Sequence, residues 1–265
     1  MKRAWWWAAA LVICGLSHGG RAQDMMRHVD LTSPDMIVAE MTRAEVETRL
    51  AAATPEHPAD FTAKRLSGLD LSGLNLAGAV LRTARLNKAR LVGATLDRAV
   101  LDQAWLLEAD LSHASLKEAN LFATQMQGAK LDRADLSGAR VTADLTNASL
   151  IGASLSGASL GADMRNQSMG LMRAVLKSAN LQGANLRDAD LSRTDLEFAS
   201  LKGADLTGAS LHGAALGGAD LTGATLVGAD FLGADLVSAK LINPIGLASA
   251  KNLDKALNLQ RAVRE

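Results

Sequence analysis

Leucine returns every five residues through most of this chain. It stands at Leu66, Leu71, Leu76, Leu81 and onward to Leu136, with Met126 and Val141 in the same phase. After an interruption the series runs again from Leu171 to Leu226 and ends with Phe231, Leu236 and Leu241. Ala sits two residues before nearly every such position; Thr124 and Thr194 are the exceptions within 79–139 and 174–239. A period of five fits neither standard element. On a helix of 3.6 residues per turn it smears the leucines around every side, and on a strand it alternates them between faces. A chain that turns about 90° every five residues points each leucine inward, and four repeats close a square coil of about 20 residues. Ala is required beside the leucines because little space remains where four of them converge. Gly, Asp, Asn and Ser serve the corners, by tolerating positive φ or by bonding the local backbone.

The tandem units Ala-Asp-Leu-Ser-Gly (134–138), Ala-Asn-Leu-Gln-Gly (179–183) and Ala-Asp-Leu-Thr-Gly (204–208 and 219–223) resemble the motif of the pentapeptide-repeat family. The resemblance implies an all-β fold, a right-handed quadrilateral parallel β-helix. About nine coils make a rod roughly 43 Å long. The expected organisation is a leader at 1–22, a helical preface at 23–60, repeats at 61–242 that are irregular at 142–175, and a C-terminal capping helix within 243–265.

Stacking at 20 residues gives columns that can be read for charge. Asp70, Arg90, Asp110 and Lys130 alternate in sign; Lys88 falls under Glu108, Arg98 under Glu118, and Lys177 under Glu197. Stacked like charges are unfavourable, so this alternation supports the register.

The flanks carry other signals. Lys2 and Arg3 precede an apolar stretch, Ala4–Leu16, and small residues Gly20 and Ala22 frame a cleavage site, the form of a secretory signal peptide. Thirteen residues are too few to span a bilayer, which needs about 20. Leu11-Val12-Ile13-Cys14 also resembles a lipobox, although Ile13 replaces the usual small residue; a lipidated Cys14 and an uncleaved anchor are the alternatives. Thr42-Arg43-Ala44-Glu45 fits a capping box and predicts a helix over about 43–53. Leu247, Ala250, Leu253 and Leu257 predict a helix over about 248–263, which caps the rod or forms a homodimer contact.

Reaction chemistry is absent from the pattern. The chain has one Cys, at 14, and its histidines stand apart, so no catalytic group, cofactor site or metal site is assigned. The glycines follow the corner period and form no phosphate loop. With 28 basic and 28 acidic residues the net charge is zero, which argues against general nucleic-acid binding. Two surfaces are irregular. Arg65, Arg85, Trp105 and Gln125 share a column within a basic stretch, 64–98, in which Asp70 and Asp97 are the acidic residues. Met164, Met169 and Met172 lie where the repeat slips, and 165–173 is expected to protrude as a loop. Arg65, Arg85, Trp105, Met164, Met169 and Met172 are therefore the candidate partner contacts.

The expected function is a non-enzymatic envelope scaffold or interaction rod that binds another protein. The alternatives are a topoisomerase-protecting DNA mimic in the cytoplasm and a protein lipid-anchored through Cys14.

Overall fold

The computed structural model describes residues 29–162 and 172–264. From Asp60 onward the chain forms a right-handed quadrilateral β-helix. Each side makes a parallel bridge to the side above it: Asp60 pairs with Val80, Arg65 with Arg85, Asp70 with Arg90 and Asn75 with Thr95. These four pairs begin the four faces, named here by their first residues. The Asp60 face ends at Lys251, its tenth rung.

Local chemistry produces the square. Each inward leucine carbonyl accepts from the Ala amide three residues on, as Leu206 does from Ala209 at 3.0 Å, and this closes a corner. The second corner residue has positive φ, as a type II turn demands. Leu206 and Leu211 are completely buried, and the Ala residues between the leucines fill the remaining core. Thr124 and Thr194 take Ala positions because their hydroxyls find carbonyls inside, those of Leu101 (2.9 Å) and Leu160 (3.4 Å).

Aspartates on the outer side organise the following corner. Asp205 Oδ1 accepts from the Thr207 amide at 2.9 Å and from its hydroxyl at 2.5 Å; Asp135 and Ser137, and Asp220 and Thr222, repeat the arrangement. Partial burial pushes these three carboxyls up, but the hydroxyl and amide bonds, with a neighbouring Lys or Arg, outweigh it and hold them below the ordinary aspartate value of 3.8. At Asp60 and Asp70 the interactions with Thr62 and Ser72, whose amides donate at 2.8 and 3.0 Å, lead, with the same net direction. Carboxyls depressed by folding contribute stability above their unfolded value, and lose it as the pH falls through the folded values. Melting temperature is therefore expected to hold from neutral pH down to about 4 and to drop below it. Circular-dichroism melts across pH 7 to 3 check this, and Asp205→Asn with Asp220→Asn should flatten the drop.

The register changes at two places. One residue is missing after Val141, so Gln125 pairs with Asp144 and Asp135 with Ser154, 19 residues apart. Eleven residues are then added at a single corner. Ala174 donates to Leu160 at 3.0 Å, the bond that ordinarily joins residues three apart. Ser154 pairs with Asn185 and Ser159 with Asp190, both 31 apart, before the 20-residue spacing returns. Met164, Met169 and most of the expected loop at 165–173 lie outside the described residues.

Both ends differ from the repeats. Helix α1 (Pro34–Ile37) and helix α2 (Arg43–Ala51) cover the first coil. The Thr42–Glu45 capping box starts α2, with the Thr42 amide donating to Glu45 at 2.7 Å. Val46 is fully buried against the core, and Leu50 packs beside it. The first coil has no coil below to take its carbonyls. Arg49 donates to Asp60 O (2.9 Å), the Glu40 amide to Arg65 O (2.9 Å), and Arg43 to Asp70 O (2.9 Å) and Ser72 O (3.2 Å).

The C-terminal helix expected over 248–263 is not continuous. Three 3-10 turns, Leu247–Ser249, Leu253–Lys255 and Leu259–Arg261, alternate with bridges at Ile245, Lys251, Leu257 and Val263. This is a further coil with sides of six residues. Asn252 and Asn258 take the left-handed conformation between its sides, and their side-chain amides donate to Asp230 and Asp235, respectively, of the coil beneath at 2.8 Å each.

Candidate functional site

The core is filled by leucine and alanine, so interaction is confined to outer faces, corners and ends. Among the described residues no group of His, Cys, Asp or Glu is arranged to hold a metal ion. No helix among them is long and apolar enough to cross a membrane.

The Arg65 face does stack Arg65, Arg85, Trp105 and Gln125 through consecutive parallel bridges. Its members are nevertheless not equally available. Arg65 is held by the preface: its guanidinium meets Asp35 at 2.8 Å and Glu40 at 3.4 Å. Gln125 is buried, donating to Ala123 O at 3.1 Å. Arg85 and Trp105 are half-buried, side by side, and face outward. A cation beside an indole is a pairing enriched at interaction hot spots. The site therefore contracts to Arg85 and Trp105. Met172 is 8% exposed, so little of its side chain is open on the outer surface.

The basic stretch is largely neutralised by residues that sequence neighbours do not reveal. Lys64 meets Glu40 at 3.3 Å, Arg82 meets Asp102 at 3.5 Å, Lys88 meets Glu108 at 3.6 Å, and Arg90 meets Asp70 at 3.8 Å. Asp70 lies within 64–98, but Glu40, Asp102 and Glu108 come from the preface and from a neighbouring coil, where a count confined to that stretch misses them. Lys177 and Glu197 pair at 2.7 Å as their 20-residue spacing predicts, whereas Arg98 reaches no carboxylate within 4.0 Å among the described residues. Helix α1 itself carried one legible signal, Pro34 directly after Ser33, a common helix start.

Phe198 is a further exposed group that the repeat pattern hides. It occupies a corner at φ 59° and is 62% exposed. Its ring lies over Gly218 in the next coil, where a Cβ would stand 2.7 Å from a ring carbon. Glycine at 218 is thus fixed both by its own positive φ and by the ring above it.

Comparison with known proteins agrees with this architecture. A family model described as pentapeptide repeats matches residues 65–103, 106–138, 141–166, 171–208 and 204–243. No curated protein matches the chain. Among solved structures, it is similar to HetL, a pentapeptide repeat protein involved in heterocyst differentiation regulation from the cyanobacterium Nostoc. Identity is 29% over 84% of this chain and 94% of that one, with a TM-score of 0.45. QnrB1, a plasmid-mediated fluoroquinolone resistance protein, is 19% identical over 73% and 92%, with a TM-score of 0.37. Rfr23 from the cyanobacterium Cyanothece is 23% identical over 55% and 97%, with a TM-score of 0.29. The family model covers most of the chain in eight copies of the repeat, and the chain belongs to the pentapeptide-repeat family.

Proposed function

We propose that this protein is an exported, non-enzymatic rod of the cell envelope that binds another protein through its outer surface. The observation that carries the reading is the solid core: with its interior filled by leucines, the rod offers faces to a partner and no chamber to a substrate. Export is read from residues 1–22, which lie outside the described residues, and the half-buried Arg85–Trp105 pair is the proposed contact. A DNA mimic would need a continuous acidic face. Here the aspartates of the Asp70 face are interrupted by Arg90 and Lys130, and Arg140 interrupts those of the Asp60 face, while Lys240 and Lys251 follow the last aspartate of each.

The test isolates the protein from the envelope fraction of its native host. Intact mass should show loss of about 22 residues. Partner capture by that species should weaken at least about tenfold, or about 1.4 kcal/mol, in the Arg85→Ala, Trp105→Ala double variant. A full-length cytoplasmic species would overturn export, and unchanged capture with the fold intact would remove the pair as the contact.

A further inference from the structure

We propose that the C-terminal end of the rod docks end-on onto an anionic phospholipid surface. Exposed large apolar side chains are not spread evenly along the molecule. Among the described residues from Asp60 to Leu226 they are Ile151 and Phe198; the last two coils then show Val227, Leu232, Ile245 (59% exposed), Leu257 (55%) and Val263 (42%).

Their placement matters more than their number. Ile245 continues the Asn75 face, Leu257 the Arg65 face and Val263 the Asp70 face, while Val227 and Leu232 sit on corners between faces. A partner lying against one side of the rod could not cover them all. A surface that receives the end of the rod covers the ring together, along with the half-buried Leu247, Leu253 and Leu259 inside it. Among the described residues no helix lies across this coil, as α1 and α2 lie across the first. The carbonyls of Ala250, Ala256 and Ala262 accept no bond among the described residues, whereas their counterparts one coil below, Ala229, Ala234 and Ala239, accept from Lys251, Leu257 and Val263. A hydrated headgroup layer can serve such carbonyls while the apolar ring enters its acyl boundary.

Charge selects the occupant. Among the described residues the last coil, 245–264, exposes Lys251, Lys255, Arg261 and Arg264 against Asp254, and with Glu265 next in the sequence the cations still outnumber the acids four to two. Interleaved cations and apolar groups suit an anionic bilayer surface. A second copy placed tail-to-tail would oppose the same four cations. At the other end the exposed Leu31, Ile37 and Val38 lie beside Asp30 and beside Asp35 and Glu40, which are paired with Arg65 and Lys64, so no cationic excess accompanies them. The proposal stands apart from both the Arg85–Trp105 contact and the fate of the leader.

The test uses the full chain with Cys14→Ser. An environment-sensitive fluorophore is attached at an introduced cysteine, Gln260→Cys in the last coil or Gln182→Cys at mid-rod. With phosphatidylcholine–phosphatidylglycerol vesicles, the label at 260 should brighten about twofold and shift blue, as expected for a group entering the interface. The label at 182 should not respond, and phosphatidylcholine alone should give little at either site. Adding Ile245→Ser with Leu257→Ser, or Lys251→Glu with Arg261→Glu, should abolish the response. A leader inserting into the vesicles would tether the opposite end and leave 260 unchanged. No response at 260, an equal response at 182, or an equal response to uncharged vesicles overturns the proposal. A response at 260 that follows protein concentration without vesicles overturns it in favour of a second copy.

Discussion

Leu206→Asp should unfold the rod locally and lower its stability by several kcal/mol. Leu206 has no exposed surface and faces the core from one side of its coil, so a carboxylate there would be buried among leucines and alanines with no partner. Truncation alone, Leu206→Ala, belongs to the class that costs about 2–5 kcal/mol. The neighbouring substitution separates the two faces of the wall. Asp205 looks outward, so Asp205→Leu avoids the burial cost. It still removes the bonds that Thr207 donates to its carboxylate and the Arg187 pair at 3.0 Å, and a loss of about 1 kcal/mol is expected. For a domain of this size each kcal/mol moves the melting temperature by about 2–4 °C, so calorimetry distinguishes the two variants. Equal shifts would place Leu206 and Asp205 on the same side of the wall and contradict the five-residue register.

Val46→Asp should open the N-terminal end. Val46 is the fully buried anchor of α2, and Arg43 and Arg49 on the same helix hold edge carbonyls of the first coil. With α2 displaced, Phe61, Leu66, Leu71 and Leu76 lose their cover and an unpaired sheet edge is exposed. The local cost is again several kcal/mol, but in a solenoid it falls on the nearest coils. Hydrogen exchange should show the amides of Leu66 and Leu71 losing protection at least about tenfold, while Leu206 and Leu211 keep theirs. Arg43→Ala with Arg49→Ala should give a smaller change at the same amides. Uniform loss along the whole rod would contradict nearest-neighbour stacking.

What the sequence reveals here is what repetition enforces. Leucine every five residues with Ala two before it leaves one packing solution, and the Asp-Leu-Thr and Asp-Leu-Ser units announce the corner bonds through their own chemistry. The C-terminal coil misleads because Leu247, Ala250, Leu253 and Leu257 are spaced by three and four, the signature of a helix. The fuller pattern is a period of six: Leu247, Leu253 and Leu259; Ala250, Ala256 and Ala262; Asn252 and Asn258 at left-handed turns. Asn is among the few residues other than glycine that accept that conformation readily, and two of them six apart mark the corners. The candidate site was legible as a column and illegible as a surface. Stacking of Arg65, Arg85 and Trp105 follows from the register, but the pairing of Arg65 with Asp35 and Glu40 depends on where a non-repetitive preface lands. No period encodes that.

Disulfide trapping across the re-registered coils tests the continuous four-sided coil most directly. Ser154 and Asn185 are 31 residues apart in sequence and directly stacked on the Asn75 face. Opposed residues on adjacent parallel strands lie about 4.8 Å apart, within the range a disulfide can bridge. In a chain with Cys14→Ser, the pair Ser154→Cys and Asn185→Cys should oxidise to a single intramolecular bond, read by mass spectrometry after proteolysis. The pair Ser154→Cys and Ala174→Cys, 20 apart as an unbroken repeat would stack them, should stay reduced in the folded protein. Bridging of 154 to 174, with the 154 and 185 pair left as thiols, would contradict the eleven-residue insertion at one corner and the stacking built on it.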